Sequence, residues 1–193
     1  MSDSANDSQF FVIADNPILV GLGDGFSWIR FEGKGSFANS SAVKAFGEQR
    51  IAAGETCVVV DLGGCTGMDS TFMGTLAGLA VRLSALAGGG LQIAAVDERN
   101  RRSLEDLGLD FLMAIDPPTA AWRGAEESIR NGLVPPQATS NLIPIQRARQ
   151  ILEAHQMLAG MSEENSRQFH AVVSLLENEV ADKEKLAQPE EST

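Results

Sequence analysis

The stretch that decides the fold is CVVVDLGGCTGMDSTFMGTLAGLAVRL, residues 57–83. Its first six residues form an almost unbroken β-branched run, which is typical of a central strand covered on both faces. After GGCTGM, a predicted loop, apolar residues recur at steps of three and four and predict the strongest helix of the chain. These residues are Phe72, Met73, Leu76, Leu79, Ala80, Leu83 and Leu86. The glycines at 88–90 are expected to end this helix.

The flanking segments continue the alternation of strands and helices. Short apolar runs predict strands at residues 10–14, 18–20, 28–32, 91–96 and 111–115. A helix is expected to begin near residues 39–41, burying Val43, Phe46 and Ile51, and a shorter helix is expected to begin at Asn100. Because helices join successive strands, the sheet is predicted to be small, mixed and mostly parallel, with antiparallel pairing among the first strands. The predicted fold class is therefore α/β.

A C-terminal α-helical extension follows this domain. Five prolines between residues 117 and 144 interrupt the α/β pattern, and from residue 146 onward two apolar helical faces appear. Ala159-Gly160 followed by Ser162-Glu163-Glu164 predicts a helix end and then a capped start, so two helices are expected. The apolar faces predict packing on the domain, on a second copy of the chain as a homodimer, or on another protein. The chain is thus divided into a disordered N-terminus (1–9), the α/β domain (10–116), a Pro-containing linker (117–145), the helical extension (146–187) and a disordered tail (188–193).

Composition and charge narrow the possible functions. The 193 residues carry 15 Lys and Arg against 26 Asp and Glu, a net charge of −11, which is the wrong sign for a protein that binds nucleic acid. No apolar run reaches about 18 residues, the length of a membrane span. The start, MSDSANDSQ, lacks the basic and apolar regions of a secretory signal. The expected location is therefore the cytoplasm.

Most candidate chemical motifs fail on spacing. The glycines of residues 21–25 precede a strand and lack the GxGxxG order of dinucleotide sites, so a turn is expected there. Cys57 and Cys65 lack metal-ligand spacing, and His155 and His170 are expected on interhelical faces. With no GxSxG elbow and no histidine in the α/β domain, we predict no catalytic triad within it, no metal site and no cofactor.

The junction between the central strand and the long helix is the remaining candidate. It places Asp69 at the N-cap and Ser70 at the first helical position, where strand ends of open α/β sheets carry functional groups. On the local pattern alone, Asp69 is either a functional residue or only a helix cap worth about 1 kcal/mol, and Ser70 only a first-turn residue.

Residues 57–83, followed by LQIAAVDERNRRSLEDLGLDFLMAI, resemble the STAS domain, the module shared by sulphate transporters and bacterial anti-sigma factor antagonists. The resemblance covers roughly residues 10–116 and favours the antagonist type, since no transmembrane segment appears in the sequence. In that family, the serine that follows the Asp is phosphorylated by a partner kinase that also acts as an anti-sigma factor, and only the unphosphorylated form binds.

The resemblance implies a regulatory, non-enzymatic protein. Ser70 is then the phosphoacceptor, and the expected partner-binding residues are Asp61, Asp69, Thr71, Phe72 and Met73. Phe72 departs from the family pattern, in which many antagonists carry glycine; its ring would either restrict a kinase or pack inward. Two alternatives stay open, namely an unphosphorylated STAS-like scaffold or accessory subunit, for example of a lipid-transport or signalling complex, and a small-ligand site at the strand edge.

Overall fold

The computed structural model describes residues 18–137 and 142–187 of the chain. Its five strands lie in one sheet in the order of the sequence; β1 and β2 are antiparallel, and the pairs from β2 to β5 are parallel. The mixed, mostly parallel α/β fold and its helical extension are thus confirmed. The elements are β1 (Ile18–Leu22), β2 (Ser27–Gly35), α1 (Phe37–Ala52), β3 (Cys57–Met68), α2 (Ser70–Ser84), β4 (Gly90–Ala94), α3 (Glu98–Glu105), β5 (Met113–Ile115), α4 (Glu126–Asn131), α5 (Pro144–Ala159) and α6 (Glu163–Ala187). The strand predicted at 10–14 and both predicted disordered ends lie outside the described residues.

The main core lies on one face of the sheet. Alternate residues of the central strand, Val58, Val60 and Leu62, point to this face and are at most 1% exposed. They pack against α1, α2 and α3, whose apolar stripes supply the other half of the core. The β-branched run of the sequence is therefore the middle of the sheet, as predicted.

The opposite face is covered by the stretch that the sequence predicts as a linker. Trp122 is 1% exposed and packs edge-on against Trp28 of β2, with ring centroids 5.4 Å apart. Its indole N–H donates to Gln92 Oε1 at 2.7 Å, and Val134 pairs with Val20 of β1. Residues 117–137 are therefore a layer of the domain rather than a spacer, because Trp28, Val59 and Ala94 leave an apolar surface there that must be buried.

Several element boundaries differ from the predictions. The strand predicted at 111–115 begins only at Met113, after a 3-10 helix at Leu109–Phe111, and three further differences lie near the site. Strand β3 continues through the predicted loop GGCTGM to Met68, because these residues pair with the second half of β2. Helix α1 begins at Phe37, with the Asn39 side chain accepting the Ser36 N–H, and not at 39–41. Asp97, and not Asn100, caps α3 by accepting the Asn100 backbone N–H. The side-chain amide of Asn100 donates to the Cys65 carbonyl oxygen. The local sequence at these points is compatible with either boundary, and contacts with residues distant in the chain determine which one forms.

Helices α5 and α6 form an antiparallel hairpin that lies on α2. Three residues join the two helices, and Ser162 Oγ accepts the Asn165 N–H at 3.0 Å as the cap of α6. Leu158 and Phe169 enter the main core, so the domain itself buries their apolar faces and no second copy is required for that. Within the described ranges, no helix is both long and apolar enough to cross a membrane.

The burial of Trp122 predicts that residues 117–137 contribute to the stability of the domain. Trp122→Ala removes a fully buried ring and its hydrogen bond, so we expect the free energy of unfolding to fall by about 3–5 kcal/mol. Phe111→Ala is the matched control, because Phe111 is 88% exposed and surface substitutions stay within about 0.5 kcal/mol. Urea unfolding followed by circular dichroism measures both; equal midpoints would show that the segment is only a linker.

Candidate functional site

The side chain of Asp69 joins the starts of two helices. One carboxylate oxygen, Oδ1, accepts the Phe72 N–H of α2 at 2.9 Å, and Oδ2 accepts the Phe37 N–H of α1 at 3.0 Å. The Asp69 N–H donates to the Gly35 carbonyl oxygen at the end of β2. The predicted cap is therefore confirmed, and it extends to a second helix that the sequence did not indicate. Two helix N-termini, each with partial positive charge, meet at this carboxylate.

Ser70, the first residue of α2, is held by the C-terminal hairpin. Its Oγ lies 2.9 Å from Nε2 of His155 on α5, and His155 Nδ1 lies 2.8 Å from the Ile151 carbonyl oxygen. Because a carbonyl can only accept, Nδ1 carries the proton, so in the neutral ring Nε2 accepts from the Ser70 hydroxyl. Ser70 is half-buried and His155 is 6% exposed.

The residues that follow Ser70 point into the protein. Thr71 is 5%, Phe72 0% and Met73 9% exposed, so none of these predicted partner contacts presents its side chain in this conformation. The Phe72 ring packs against Phe31, with centroids 4.8 Å apart. A Cβ at Gly35 would lie 2.8 Å from that ring, so glycine there makes room for it. Of the two readings of Phe72, the structure gives the inward one.

Asp61 does not belong to the Ser70 site. Since β3 continues to Met68, seven residues of strand separate Asp61 from Asp69, so these two predicted partner-binding residues do not form one site. Asp61 lies on the opposite face of the sheet, where Oδ2 accepts from Arg30 at 2.9 Å and from Arg130 at 2.7 Å. Its side chain is 0% exposed, so it holds residue 130 against the sheet and offers nothing to a partner.

The ionisation of Asp61 is set by this burial and by its partners. Burial alone would raise the pKa of Asp61, but the hydrogen bonds from Arg130, the Gly63 N–H and Arg30 outweigh it and hold the pKa below its usual value. The same pairing raises the pKa of Arg130. Asp61 is therefore a charged residue that fixes structure.

The other candidates take structural positions. His155 lies on an interhelical face as predicted, edge-on to Phe169, whereas His170 is exposed and the same prediction is wrong for it. Burial raises the pKa of the Cys57 and Cys65 thiols, which are unpaired.

Sequence reasoning missed two partners, His155 for Ser70 and Arg130 for Asp61. They lie 85 and 69 residues from the groups they bind. No spacing or local motif could indicate either pairing.

Comparison with known proteins places the domain. A model of the STAS domain family matches residues 22–121. The Bacillus cell fate determinant SpoIIAA in its phosphorylated form is 19% identical with a TM-score of 0.45, covering 59% of this chain and 97% of its own. Unphosphorylated SpoIIAA is 17% identical with a TM-score of 0.46, and the match covers 58% of this chain and 97% of SpoIIAA. An anti-sigma factor antagonist from Mycobacterium paratuberculosis is 22% identical with a TM-score of 0.46, and the match covers 58% of this chain and 92% of the antagonist. A comparison with curated proteins found no match.

The Asp61 cluster predicts a strong loss of stability on neutralising one side chain. Asp61→Asn leaves two guanidinium groups facing a neutral amide, so we expect the free energy of unfolding at pH 7 to fall by about 3–5 kcal/mol. Asp182→Asn is the control, because that carboxylate forms an exposed pair with Lys185 and such pairs contribute about 0–1 kcal/mol.

The pH dependence gives a second check of the same cluster. Because the folded pKa of Asp61 lies below its ordinary value of 3.8, its contribution is present above that value and is lost as the pH falls through the lowered pKa. Urea unfolding of the wild type should therefore weaken more between pH 5 and about pH 2 than that of Asp61→Asn. Parallel curves for the two proteins would contradict this account.

Proposed function

The chain belongs to the STAS domain family, and we propose that it is a regulatory protein-binding module of the anti-sigma factor antagonist type, switched by phosphorylation of Ser70. The kinase is a partner protein that also acts as an anti-sigma factor and binds the unphosphorylated form. One observation carries the proposal: a serine hydroxyl stands at the first position of α2, directly after a carboxylate that joins two helix starts. This position matches the phosphoacceptor that the STAS resemblance implies.

The chemistry required of this chain is small. The Ser70 Oγ would attack the γ-phosphorus of ATP bound by the kinase, forming an O–P bond while the bond to ADP breaks. The hydroxyl proton would go to the base of the kinase. Magnesium, nucleotide and base all belong to that enzyme, so the module itself supplies the acceptor and the surface around it.

The phosphorylated helix start is electrostatically tolerable. A phosphate carries about −1.5 to −2 charges, and the first-turn amides of a helix have no intrahelical acceptor and are suited to anions. Asp69 repels the phosphate, but charge-assisted bonds to such amides contribute about 1.5–3 kcal/mol each and offset the repulsion. The fold is therefore retained while a partner surface fitted to a neutral hydroxyl faces a desolvated charge. The switch acts on binding.

A hydrolytic serine is the second reading of the Ser70–His155 pair, and the geometry disfavours it. In a triad, a carboxylate bonds the far ring nitrogen and stabilises the imidazolium that forms. Here that nitrogen, Nδ1, is bonded to the Ile151 carbonyl oxygen. The pair is also covered, since His155 is only 6% exposed. A hydroxyl that a kinase modifies fits these contacts better than the nucleophile of a hydrolase.

The proposal predicts a phosphate on Ser70 in the protein isolated from its own cells. Digestion at basic residues releases residues 51–82 as one peptide, between Arg50 and Arg82, and fragmentation assigns the modified hydroxyl within it. We expect the phosphate on Ser70, and no phosphate on this peptide from Ser70→Ala. Modification only at other serines or threonines would contradict the proposal and favour the constitutive scaffold.

A second prediction concerns binding. Ser70→Asp places a charge at the site of the hydroxyl, so we expect it to lose affinity for the kinase, measured by calorimetry with the purified enzyme. Its thermal midpoint should stay within a few degrees of wild type, because a helix N-terminus tolerates a carboxylate. Ser166→Asp adds the same charge to the exposed first turn of α6 and should bind as wild type does. Equal binding by both variants would count against the switch.

A further inference from the structure

Helix α5 covers the face of α2 that begins at Ser70. At the first turn, the Ser70 hydroxyl donates to His155; one turn later, Gly74 meets the backbone of Ala154. A Cβ at Gly74 would lie 2.7 Å from the carbonyl carbon of Ala154 and nearer still to its oxygen. Real side chains essentially never approach backbone that closely. The two helices are therefore in backbone contact beside the candidate phosphoacceptor.

Further contacts anchor the hairpin around this point. Leu158 and Phe169 are buried in the main core, and the buried Asn165 amide donates to the Leu107 carbonyl oxygen at 3.0 Å. At the rim, Lys44 of α1 forms an ion pair with Glu153 of α5. The hairpin thus occupies the α2 face on its own, without a second protein.

This occupation conflicts with the access that phosphorylation needs. A kinase must bring the γ-phosphorus in line with the Ser70 Oγ and place its own base at the hydroxyl proton. In the docked state, His155 already accepts a hydrogen bond from that hydroxyl, and α5 lies in contact one turn farther along α2. A kinase and the hairpin cannot both occupy this face.

We propose that the α5–α6 hairpin is an intramolecular cover, which keeps Ser70 and the α2 face closed until it lifts as a unit. A kinase or other partner then binds only the open form, and its apparent affinity is reduced by the fraction of molecules that are open. The identity of the partner rests on the proposed function of Ser70. The cover itself rests only on the contacts between α2, α5 and α6.

The direct test measures exposure of position 70 without any kinase. Ser70→Cys provides a thiol whose alkylation by iodoacetamide reports opening, and Cys65, buried in the same peptide, reports global unfolding. Adding Gly74→Ala forces α5 away from α2, so we expect alkylation at position 70 to become roughly tenfold faster with no change at Cys65. Gly78→Ala is the matched control on the same helix, because nothing lies within 4 Å of its added Cβ, and it should leave the rate unchanged.

A milder variant guards against loss of folding in Gly74→Ala. Glu153→Lys replaces the ion pair at the rim with repulsion from Lys44, so alkylation at position 70 should rise a few-fold. Adding Lys44→Glu restores the pair and should restore the slow rate. Suppose that position 70 is alkylated at the same rate in Ser70→Cys alone, with Glu153→Lys added and with both Glu153→Lys and Lys44→Glu added. If Gly74→Ala also leaves that rate unchanged, the cover is refuted.

Phosphorylation separates this inference from the proposed function. With the purified kinase, Gly74→Ala in the natural Ser70 background should be phosphorylated about tenfold faster than wild type, and Gly78→Ala as slowly as wild type. Faster alkylation with no phosphate on Ser70 in any variant would refute the proposed function and support the cover. Phosphorylation of Ser70 at one rate in all variants would support the function and refute the cover.

Discussion

Helix α2 is buried along most of its length, and the rest of the structure is arranged to cover it. From Thr71 to Leu83, all but three of its residues are buried, although a helix on one face of a sheet ordinarily keeps a solvent-facing stripe. The sheet and α1 cover one side, and α5 of the hairpin covers the other. Gly74 makes this possible, since a side chain there would hold α5 away. Without the hairpin, α2 would expose an apolar surface of the kind that another protein covers.

The candidate site is a consequence of the same arrangement. Asp69 fixes where α2 begins, and by also bonding the Phe37 N–H it fixes where α1 begins. Ser70 is therefore held in one place by the backbone, and its hydroxyl direction is set by His155 on the hairpin. A charge added at Ser70 acts on three elements at once: the N-termini of α1 and α2, which favour it, and α5, whose His155 is bonded to the Ser70 hydroxyl. A local modification there has consequences for the whole covered face.

The sequence predicts whatever depends on local pattern. The β-branched run of β3, the periodicity of α2, the cap at Asp69 and the two C-terminal helices all follow from residues close together in the chain. What it misses depends on pairing at long range. GGCTGM looks like a loop because glycines weaken strands, yet the bonds that β2 offers keep it extended. Arg130 and His155 carry no local signal of their partners. Helix α2 carries a single charged residue, Arg82, which is a local sign that its outer face is covered, but its periodicity by itself predicts only a helix.

Two parts of the chain that lie mostly outside the family match, the layer of residues 117–137 and the α5–α6 hairpin, each cover one face of the domain. The STAS match ends at residue 121, and Trp122, the next residue, is the centre of the layer on the second face. That layer is fixed by a buried salt bridge between Arg130 and Asp61, which also binds Arg30 of β2. Lifting the layer therefore removes one of the two cations that hold a fully buried carboxylate, which is costly. The hairpin is held by apolar contacts, by two buried polar side chains that water could satisfy, and by an exposed ion pair, so lifting it leaves no unpaired buried charge. Lifting the hairpin therefore leaves less uncompensated buried charge than lifting the layer of residues 117–137. For this reason the domain can open on the Ser70 face and not on the Asp61 face.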